Sequence, residues 1–308
     1  MKNDLLNGFR LGRMERHLNI YGVEVRQHGE IIAKCQWRQE FREHVWSVSK
    51  SFTSMGLGFA LEEGLISLDD KIAAFFPEEL PEHPSDWLLD LTVQQAMTMS
   101  MGQEVCPTQK LRQDCMSDWI PYILAQPIVY KPGTRFYYTN APGYLVSAII
   151  QRKTGLTLRD YLVPRLFEPL HIFNPQWDTC PQGITLGSIG LHLTTSELSR
   201  FGQMLLDGGR FEGRQVVPED YVRLATSKLI ENAGSNPDPE WGAGYGLQFW
   251  QNTVPNSFRA DGLYGQYIVV LPEYDAVVTV KSHIENRSQH DVLRLIWDEL
   301  LPALEAGK

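Results

Sequence analysis

Strand-forming segments lie at both ends of this chain, and a long helical region separates them. Residues 20–36 alternate apolar and polar side chains around a turn at His28 and Gly29, the pattern of a β-hairpin. Residues 244–282 are again rich in β-branched and aromatic residues, whereas residues 65–205 show helical periods broken by Pro and Gly. Because hairpins dominate, we expect an α/β (α+β) fold: one antiparallel sheet built from both chain ends, flanked by helices, with an inserted helical domain.

The predicted division of the chain follows from this alternation. Residues 1–45 and 206–308 are expected to build the sheet domain, and residues 46–205 the mainly helical domain. Helices are also expected near both termini, over residues 4–18 and 288–304. The second of these carries its apolar residues on one face: Val292, Leu295, Ile296 and Leu300. A cleft between the two domains is the natural place for a binding site.

Composition and charge exclude several classes of function. A hydrophobic share of 43% in 308 residues suffices for a buried core, so the chain is expected to fold on its own. The formal net charge of -9 argues against nucleic acid as a partner, because nucleic-acid-binding proteins carry a concentrated basic face. The amino-terminal segment lacks the apolar core of a signal peptide, and no run of about 18 apolar residues occurs. We therefore expect a cytoplasmic protein that does not span a membrane.

Cysteines and histidines form no metal or redox motif in this sequence. Cys35, Cys106, Cys115 and Cys180 lie too far apart for CxxC spacing, so we expect reduced thiols. The eight histidines include neither HExxH nor HxH. The chain is therefore expected to need no metal ion and no cofactor.

A serine and a lysine three residues apart are the first candidates for chemistry. Of the ten lysines, only Lys50 has a serine three positions earlier, Ser47, in a predicted buried helix from Ser47 to about Gly64. Residues at this spacing share a helix face, with Cβ atoms about 5–6 Å apart. A desolvated lysine with a lowered pKa can take the proton of the serine hydroxyl. Alternatively, Ser47 caps the helix and Lys50 is a solvent-exposed residue of its first turn.

A tyrosine and an asparagine downstream add to this pair. Of the twelve tyrosines, only Tyr138 has an asparagine two residues later, Asn140, just before an apolar helix. A tyrosine phenolate near a lysine ammonium can act as a general base, and an asparagine side chain can hydrogen-bond an acyl amide. No Ser-His-Asp triad with a GxSxG turn can be assembled, and His192 is expected to be structural.

The segment HVWSVSKSFTSMGLGFALEEG, followed by KPGTRFYYTNAPGYLVSAI, GSIGLHLTTSELSRF and GLYGQYIVVLP, resembles the serine β-lactamase and penicillin-binding protein superfamily. The similarity is strongest to its class C-like esterase branch and spans nearly all of residues 20–300. The resemblance implies a β-lactamase/transpeptidase-like fold. It also implies Ser47 as the nucleophile, Lys50 as its hydrogen-bonded activator, Tyr138 as base or proton shuttle, and Asn140 as a contact of the substrate amide.

The third motif of that superfamily, often Lys-Thr-Gly, aligns with Ala260-Asp261-Gly262 and differs from it. No lysine is present, so the binding of a substrate carboxylate is in doubt. Arg259 is a candidate replacement, although strand alternation turns it away from its neighbour. The resemblance implies substrate contacts from Asp261, Gly262 and Leu263, with the backbone N–H groups of Ser47 and Leu263 forming an oxyanion hole. Gly262 then either permits close approach to a ligand or marks a bend.

Together these features predict a serine hydrolase acting on a small-molecule ester or amide, most simply a carboxylesterase-like enzyme. A D-amino-acid peptidase or amidase and a β-lactamase are the alternatives, and a non-catalytic sensor or binding module with the same fold is the alternative from another class. Trp46 and Trp250 either wall an acyl pocket or pack against the sheet. The oligomeric state is left open.

Overall fold

The computed structural model describes residues 5–285 and 289–305. Residues 4 and 288, where the sequence predicts the first and last helices to begin, lie outside these ranges. The α-helices are α1 Asn7–Glu15, α2 Ser49–Glu62, α3 Ile72–Phe75, α4 Asp86–Asp90, α5 Val93–Met97, α6 Thr108–Gln113, α7 Ile120–Leu124, α8 Ala141–Thr154, α9 Leu158–Leu162, α10 Thr195–Leu206, α11 Glu219–Ala225, α12 Gln289–Leu295 and α13 Leu301–Glu305. Wider π-helical turns follow α9 and α12, at Val163–Phe167 and Ile296–Leu300.

The strands are β1 Ile20–Gln27, β2 Glu30–Gln36, β3 Glu43–His44, β4 Gln176–Trp177, β5 Leu191–Leu193, β6 Arg210–Phe211, β7 Arg214–Gln215, β8 Trp250–Gln251, β9 Phe258–Gly262, β10 Gln266–Leu271 and β11 Ala276–Ser282. The main sheet has six strands in the order β2-β1-β11-β10-β9-β8, and all of its pairs are antiparallel. The first strand of the chain thus pairs with the last, which confirms the predicted sheet built from both chain ends.

Different helices cover the two faces of the main sheet. Side chains alternate along β11, so Val277 packs in one apolar cluster with Phe201 of α10, and Val278 packs in another with Phe9 of α1 and Ile296 near the carboxyl end. Every residue of β11 is buried. The sheet is therefore sandwiched between helices, as the fold prediction requires.

Helix α2, which begins two residues after Ser47, runs through the interior of the helical region. Its residues from Ser49 to Ala60 are all buried, and it packs against α8, α9 and α11. A short 3-10 turn, Trp46–Val48, precedes it and contacts β9 and β10. The predicted helix beginning at Ser47 therefore begins as a 3-10 turn and becomes α-helical at Ser49. This turn lies where the helical region meets the sheet.

The predicted strand over residues 244–250 is wrong for most of its length, since only Trp250 belongs to a strand. The segment bonds to the preceding chain instead, as where Leu247 N donates to Ala225 O at 2.9 Å. Gln248 has a φ of 70°, which an extended strand does not contain. Aromatic and β-branched content therefore indicated a buried segment here but not its backbone conformation.

Candidate active site

Ser47 lies in the 3-10 turn that leads into α2, on a backbone held in an unusual conformation. Trp46, the preceding residue, has a φ of 52°. Its N–H contacts His44 Nδ1 at 2.9 Å, and its carbonyl accepts a hydrogen bond from Ser49 Oγ at 2.6 Å. A non-glycine residue with positive φ persists only where its surroundings hold it. These contacts fix the turn and place half-buried Ser47 at the wall of a large cavity.

Lys50 is buried beside Ser47 in contact with oxygen acceptors. Its Nζ lies 3.0 Å from Ser47 Oγ, 2.6 Å from Asn140 Oδ1 and 3.1 Å from the carbonyl oxygen of Ser188. Burial lowers the pKa of Lys50 to about 7, while Cys106 and Asp261 oppose this shift. At neutral pH a large share of Lys50 is therefore neutral amine, the form that accepts a proton.

Tyr138 lies across the site from Lys50 and is joined to Ser47 by a hydrogen bond. Its ring stacks on Trp250 with centroids 5.2 Å apart, and Lys50 Nζ lies 4.8 Å from the centroid of the tyrosine ring. Burial raises the pKa of Tyr138, and the nearby Asp261 raises it further, whereas the bond to Ser47 lowers it. The phenol therefore keeps its proton at neutral pH.

Asn140 has a contact that the sequence did not indicate. Its side-chain oxygen accepts from Lys50, and its backbone carbonyl accepts from Ser188 Oγ at 2.7 Å. The expected contact with a substrate amide stays a prediction. Because the side-chain oxygen is occupied by Lys50, the amide NH₂ is the part of Asn140 that can meet a ligand.

The segment that contains Ser188 was used only as part of the family resemblance, and sequence reasoning gave Ser188 no role, although its backbone carbonyl accepts a hydrogen bond from Lys50. Gly187, next to it, has a φ of 66°, and a Cβ there would overlap the carbonyl oxygen of Gly143 in α8. Thr53 Oγ1 also donates to Gly187 O, at 2.7 Å. The Gly-Ser-Ile-Gly run was the available signal, because closely spaced glycines mark places where backbones approach.

Gly262 of β9 lies against the backbone of Val45 and Ser47. A Cβ at this position would overlap the carbonyl oxygen of Val45 and lie 3.2 Å from Ser47 N. Gly262 therefore permits a close approach between two backbone segments of the protein, and its predicted approach to a ligand stays a prediction. Leu263 follows it at the cavity wall, 44% exposed. The two backbone segments of the expected oxyanion hole thus adjoin each other, and the hole itself stays a prediction.

Arg259 does not replace the missing lysine of the third motif. It is fully buried, and its guanidinium donates to Asp261 Oδ2 at 3.0 Å, Gln251 O at 2.9 Å and Glu240 O at 3.0 Å. Residues two apart on a strand share a face, which explains why Arg259 meets Asp261. Asp261 itself reaches the cavity, with 11% of its side chain exposed. The strand therefore presents a carboxylate, and not a cation, beside Ser47.

The cavity above Ser47 has a volume of about 920 Å³. Aromatic side chains contribute much of its wall: Phe136, Tyr137, Tyr138, Trp241, Trp250 and Tyr267. Trp250 therefore lines the site, whereas Trp46 packs against the rings of His44 and Tyr264. His192 contacts His44 and Asp178 outside this cavity, consistent with a structural role.

The described part of the chain contains neither a candidate metal site nor a helix that could span a membrane. No group of His, Cys, Asp and Glu side chains suited to a metal ion occurs among residues 5–285 and 289–305. Within the same ranges, no helix has the length and apolar character needed to cross a membrane. The four cysteines are free thiols.

Comparison with known proteins gives independent information on the chain. A family model described as Beta-lactamase matches residues 13–300. A 6-aminohexanoate-dimer hydrolase of Paenarthrobacter ureafaciens is 24% identical over 262 residues, covering 78% of this chain and 66% of that protein. A beta-lactamase of Yersinia enterocolitica is 28% identical over 181 residues, 52% of this chain and 45% of that protein. The chain thus spans about half to two thirds of these two relatives.

Among solved structures, a putative 6-aminohexanoate-dimer hydrolase from Bacillus anthracis superposes with a TM-score of 0.80. The superposition covers 96% of this chain and 82% of that one, at 20% sequence identity. At such identity the likeness shows a shared fold. It agrees with the antiparallel sheet and the flanking helices described above.

Proposed function

The chain belongs to the beta-lactamase family, and from that premise we propose that it hydrolyses a small ester through an acyl intermediate on Ser47. The observation that carries the proposal is the 3.0 Å contact between Lys50 Nζ and Ser47 Oγ at the cavity wall. At this distance the hydroxyl can pass its proton directly to an amine whose pKa is about 7.

Acylation begins when Ser47 Oγ attacks the substrate carbonyl carbon and its proton passes to Lys50 Nζ. The new C–O bond creates a tetrahedral oxyanion, which the backbone N–H groups of Ser47 and Leu263 stabilise in this proposal. The bond to the leaving alkoxide then breaks. The alkoxide takes a proton from the Tyr138 hydroxyl, which regains one from Lys50, so an alcohol leaves and acyl-Ser47 remains.

Deacylation repeats these steps with water as the nucleophile. Water attacks the acyl carbon and gives its proton to Lys50, and collapse of the second tetrahedral intermediate returns a proton to Ser47 Oγ. The carboxylic acid is released and the site is restored. The raised pKa of Tyr138 favours proton shuttling by the phenol over a standing phenolate base.

A comparison of two leaving groups tests the role of Tyr138. p-Nitrophenolate departs without a proton, whereas ethoxide needs one, so Tyr138→Phe should lower kcat/KM for ethyl butyrate about tenfold more than for p-nitrophenyl butyrate. Tyr137→Phe, a change to the adjacent cavity tyrosine, should leave the ratio of the two esters unchanged. An equal loss on both esters in Tyr138→Phe would assign this residue to positioning and remove it from the proton path.

An amide is the second candidate substrate. The observation that favours it is the similarity to a protein named 6-aminohexanoate-dimer hydrolase. A D-amino-acid peptide is a further amide alternative. A β-lactam is less well supported, because Asp261 stands where a cation would receive the carboxylate of the drug.

Turnover of p-nitrophenyl esters decides between an enzyme and a non-catalytic binding module. We expect saturable release of p-nitrophenol from acetate and butyrate esters by the purified protein. Ser117→Ala, a change at an exposed serine, is the control and should release p-nitrophenol at the rate of the natural chain. Ser47→Ala should lose this activity. Ester binding without turnover in the natural chain would support the binding-module alternative.

A further inference from the structure

Asp261 is the acidic group nearest to the reaction in this cavity. Its register partner across the sheet is Tyr267, another residue of the cavity wall. Its Oδ2 accepts a hydrogen bond from Arg259, and its charge raises the pKa of both Lys50 and Tyr138. A ligand bound at Asp261 therefore lies close to the proton-transfer groups.

Acidic groups at the cavity rim already have cationic partners. Glu104 pairs with Arg135 at 3.0 Å, and Glu231 pairs with Lys228 at 2.6 Å. These pairs are largely exposed, so they contribute little to the selection of a charged ligand. Rim charges alone thus do not set the ligand preference of the cavity.

The buried charges beside Ser47 do not balance. Arg259 faces two carboxylates, Asp261 at 3.0 Å and Glu240 at 3.9 Å. Glu240 is already occupied by other donors, including Thr253 N at 3.1 Å and Trp297 Nε1 at 3.1 Å. When both acids are ionised, this group of one guanidinium and two carboxylates carries an excess negative charge.

The other basic side chains near Asp261 do not offset this charge in the reactive state. Lys50 must be neutral to accept the proton of Ser47. His290 lines the cavity but contacts Asp238 at 3.4 Å, and Asp238 also pairs with Arg294 at 3.0 Å. The excess charge is thus available to a ligand when the site is ready to react.

We propose that the preferred substrates carry an ammonium group that donates a hydrogen bond to Asp261, so the enzyme takes amino esters or amino amides. The proposal rests on the proposed function and specifies its substrate class. Only 11% of the Asp261 side chain is exposed, and this burial strengthens the ion pair relative to one in bulk water. The same carboxylate repels acidic substrates.

Matched pairs of esters test this preference, with acid release followed by pH-stat titration. Methyl 3-aminopropanoate, 5-aminopentanoate and 6-aminohexanoate are compared with methyl butanoate, hexanoate and heptanoate, in which a methyl group replaces the ammonium. 2-(Dimethylamino)ethyl acetate, whose protonated amine keeps one N–H donor, and its neutral isostere 3-methylbutyl acetate place the charge on the alcohol side. For at least one pair we expect kcat/KM to favour the cation by about 10- to 100-fold, the range of one charge-assisted hydrogen bond.

The preference should disappear in Asp261→Asn, where the ratio within the pair falls to about one. Glu212→Gln, which removes the same charge outside the cavity, should keep the natural ratio. Asp261→Ser serves as a second variant, should Asp261→Asn not fold beside buried Arg259. The absence of a preference in the natural chain, or a preference that survives both substitutions at Asp261, would overturn the proposal.

Affinity measured in a variant that cannot hydrolyse esters tests ammonium recognition independently of the proposed hydrolase function. In a Ser47→Ala background, calorimetric titration with the preferred amino ester should give a Kd about 10- to 100-fold lower than in the Ser47→Ala/Asp261→Asn double variant. Equal affinities would contradict ammonium recognition even if neutral esters are hydrolysed. Failure to hydrolyse any ester, with the difference in affinity intact, would count against the hydrolase function alone.

Discussion

The two sides of the cleft differ in how closely they follow the expected family pattern. On one side, Ser47, Lys50 and Tyr138 form a compact contact network that matches the pattern residue for residue. On the other, β9 replaces a basic third motif with Asp261 and the fully buried Arg259. Bond cleavage requires short distances between particular atoms. The charge of a residue that recognises the substrate, by contrast, can be positive for one substrate and negative for another.

Burial shifts the pKa of a titratable side chain on each side of the cleft, and on both sides it disfavours the charged form. It lowers the pKa of Lys50 and raises the pKa of Asp261, so it favours the neutral form of each. In the proposed mechanism, the neutral form of Lys50 is the one that accepts the proton of Ser47. For Asp261, Arg259 opposes the upward shift of the pKa but does not cancel it. Desolvation thus lowers the pKa of Lys50 to a useful range, whereas at Asp261 the neighbouring Arg259 opposes the effect of desolvation.

The largest expected effect belongs to the catalytic side. Ser47→Ala should reduce kcat for p-nitrophenyl butyrate by about two orders of magnitude or more, because the covalent centre is removed. The fold should survive, since the lost hydroxyl leaves little void; circular dichroism and thermal unfolding check this. Retained activity in the folded variant would remove Ser47 from the mechanism.

Lys50→Met should lower kcat/KM by about 100-fold, the lower range for loss of a general base. In the natural enzyme, kcat/KM for a neutral ester should rise with pH through about 7 and then level off, because Lys50 is reactive only when deprotonated. Lys153→Met, at an exposed lysine of α8, is the control. A rate that falls as pH rises through this region would contradict the assignment.

Gly262→Ala probes the junction of the two sides and should lower kcat by about tenfold, because its Cβ would displace β9 from Val45 and Ser47. Gly29→Ala is a control for glycine replacement. Gly29 has a φ of 77° and open space around it, so its replacement should affect stability and not kcat. Full activity of Gly262→Ala would argue against a role of this contact in oxyanion stabilisation.

The smallest effect expected is on the recognition side. A neutral p-nitrophenyl ester should exceed nitrocefin in kcat/KM by about tenfold, since the carboxylate of nitrocefin meets Asp261 without an accessible cation. Direct comparison of the two chromogenic substrates measures this ratio. A higher value for nitrocefin would replace the esterase proposal with a β-lactamase one.

Sequence was most informative where its signals are local. The hairpin around His28 and Gly29, the Ser47–Lys50 pair and the helix after Asn140 each depend on short-range spacing, and the structure has all of them. The segment 244–250 was misread because apolar content reports burial and not backbone geometry.

Long-range partners were beyond what the sequence could predict. Ser188 reaches Lys50 from 138 residues away. Buried Arg259 has one backbone acceptor in β8, Gln251, and another in the 3-10 turn Pro239–Trp241, Glu240. Neither has a periodic signature. The division into two domains, the cytoplasmic location and the small-molecule ester or amide partner stay predictions.

The central claim is that Ser47 carries the acyl group, and intact-protein mass spectrometry during ester turnover measures this directly. Quenching in acid during hydrolysis of a slowly deacylated p-nitrophenyl ester should reveal a mass increase of one acyl group. Peptide mapping should place it on Ser47, and Ser47→Ala should show none. Turnover accompanied by an adduct on another residue, or an adduct that persists in Ser47→Ala, would contradict the account.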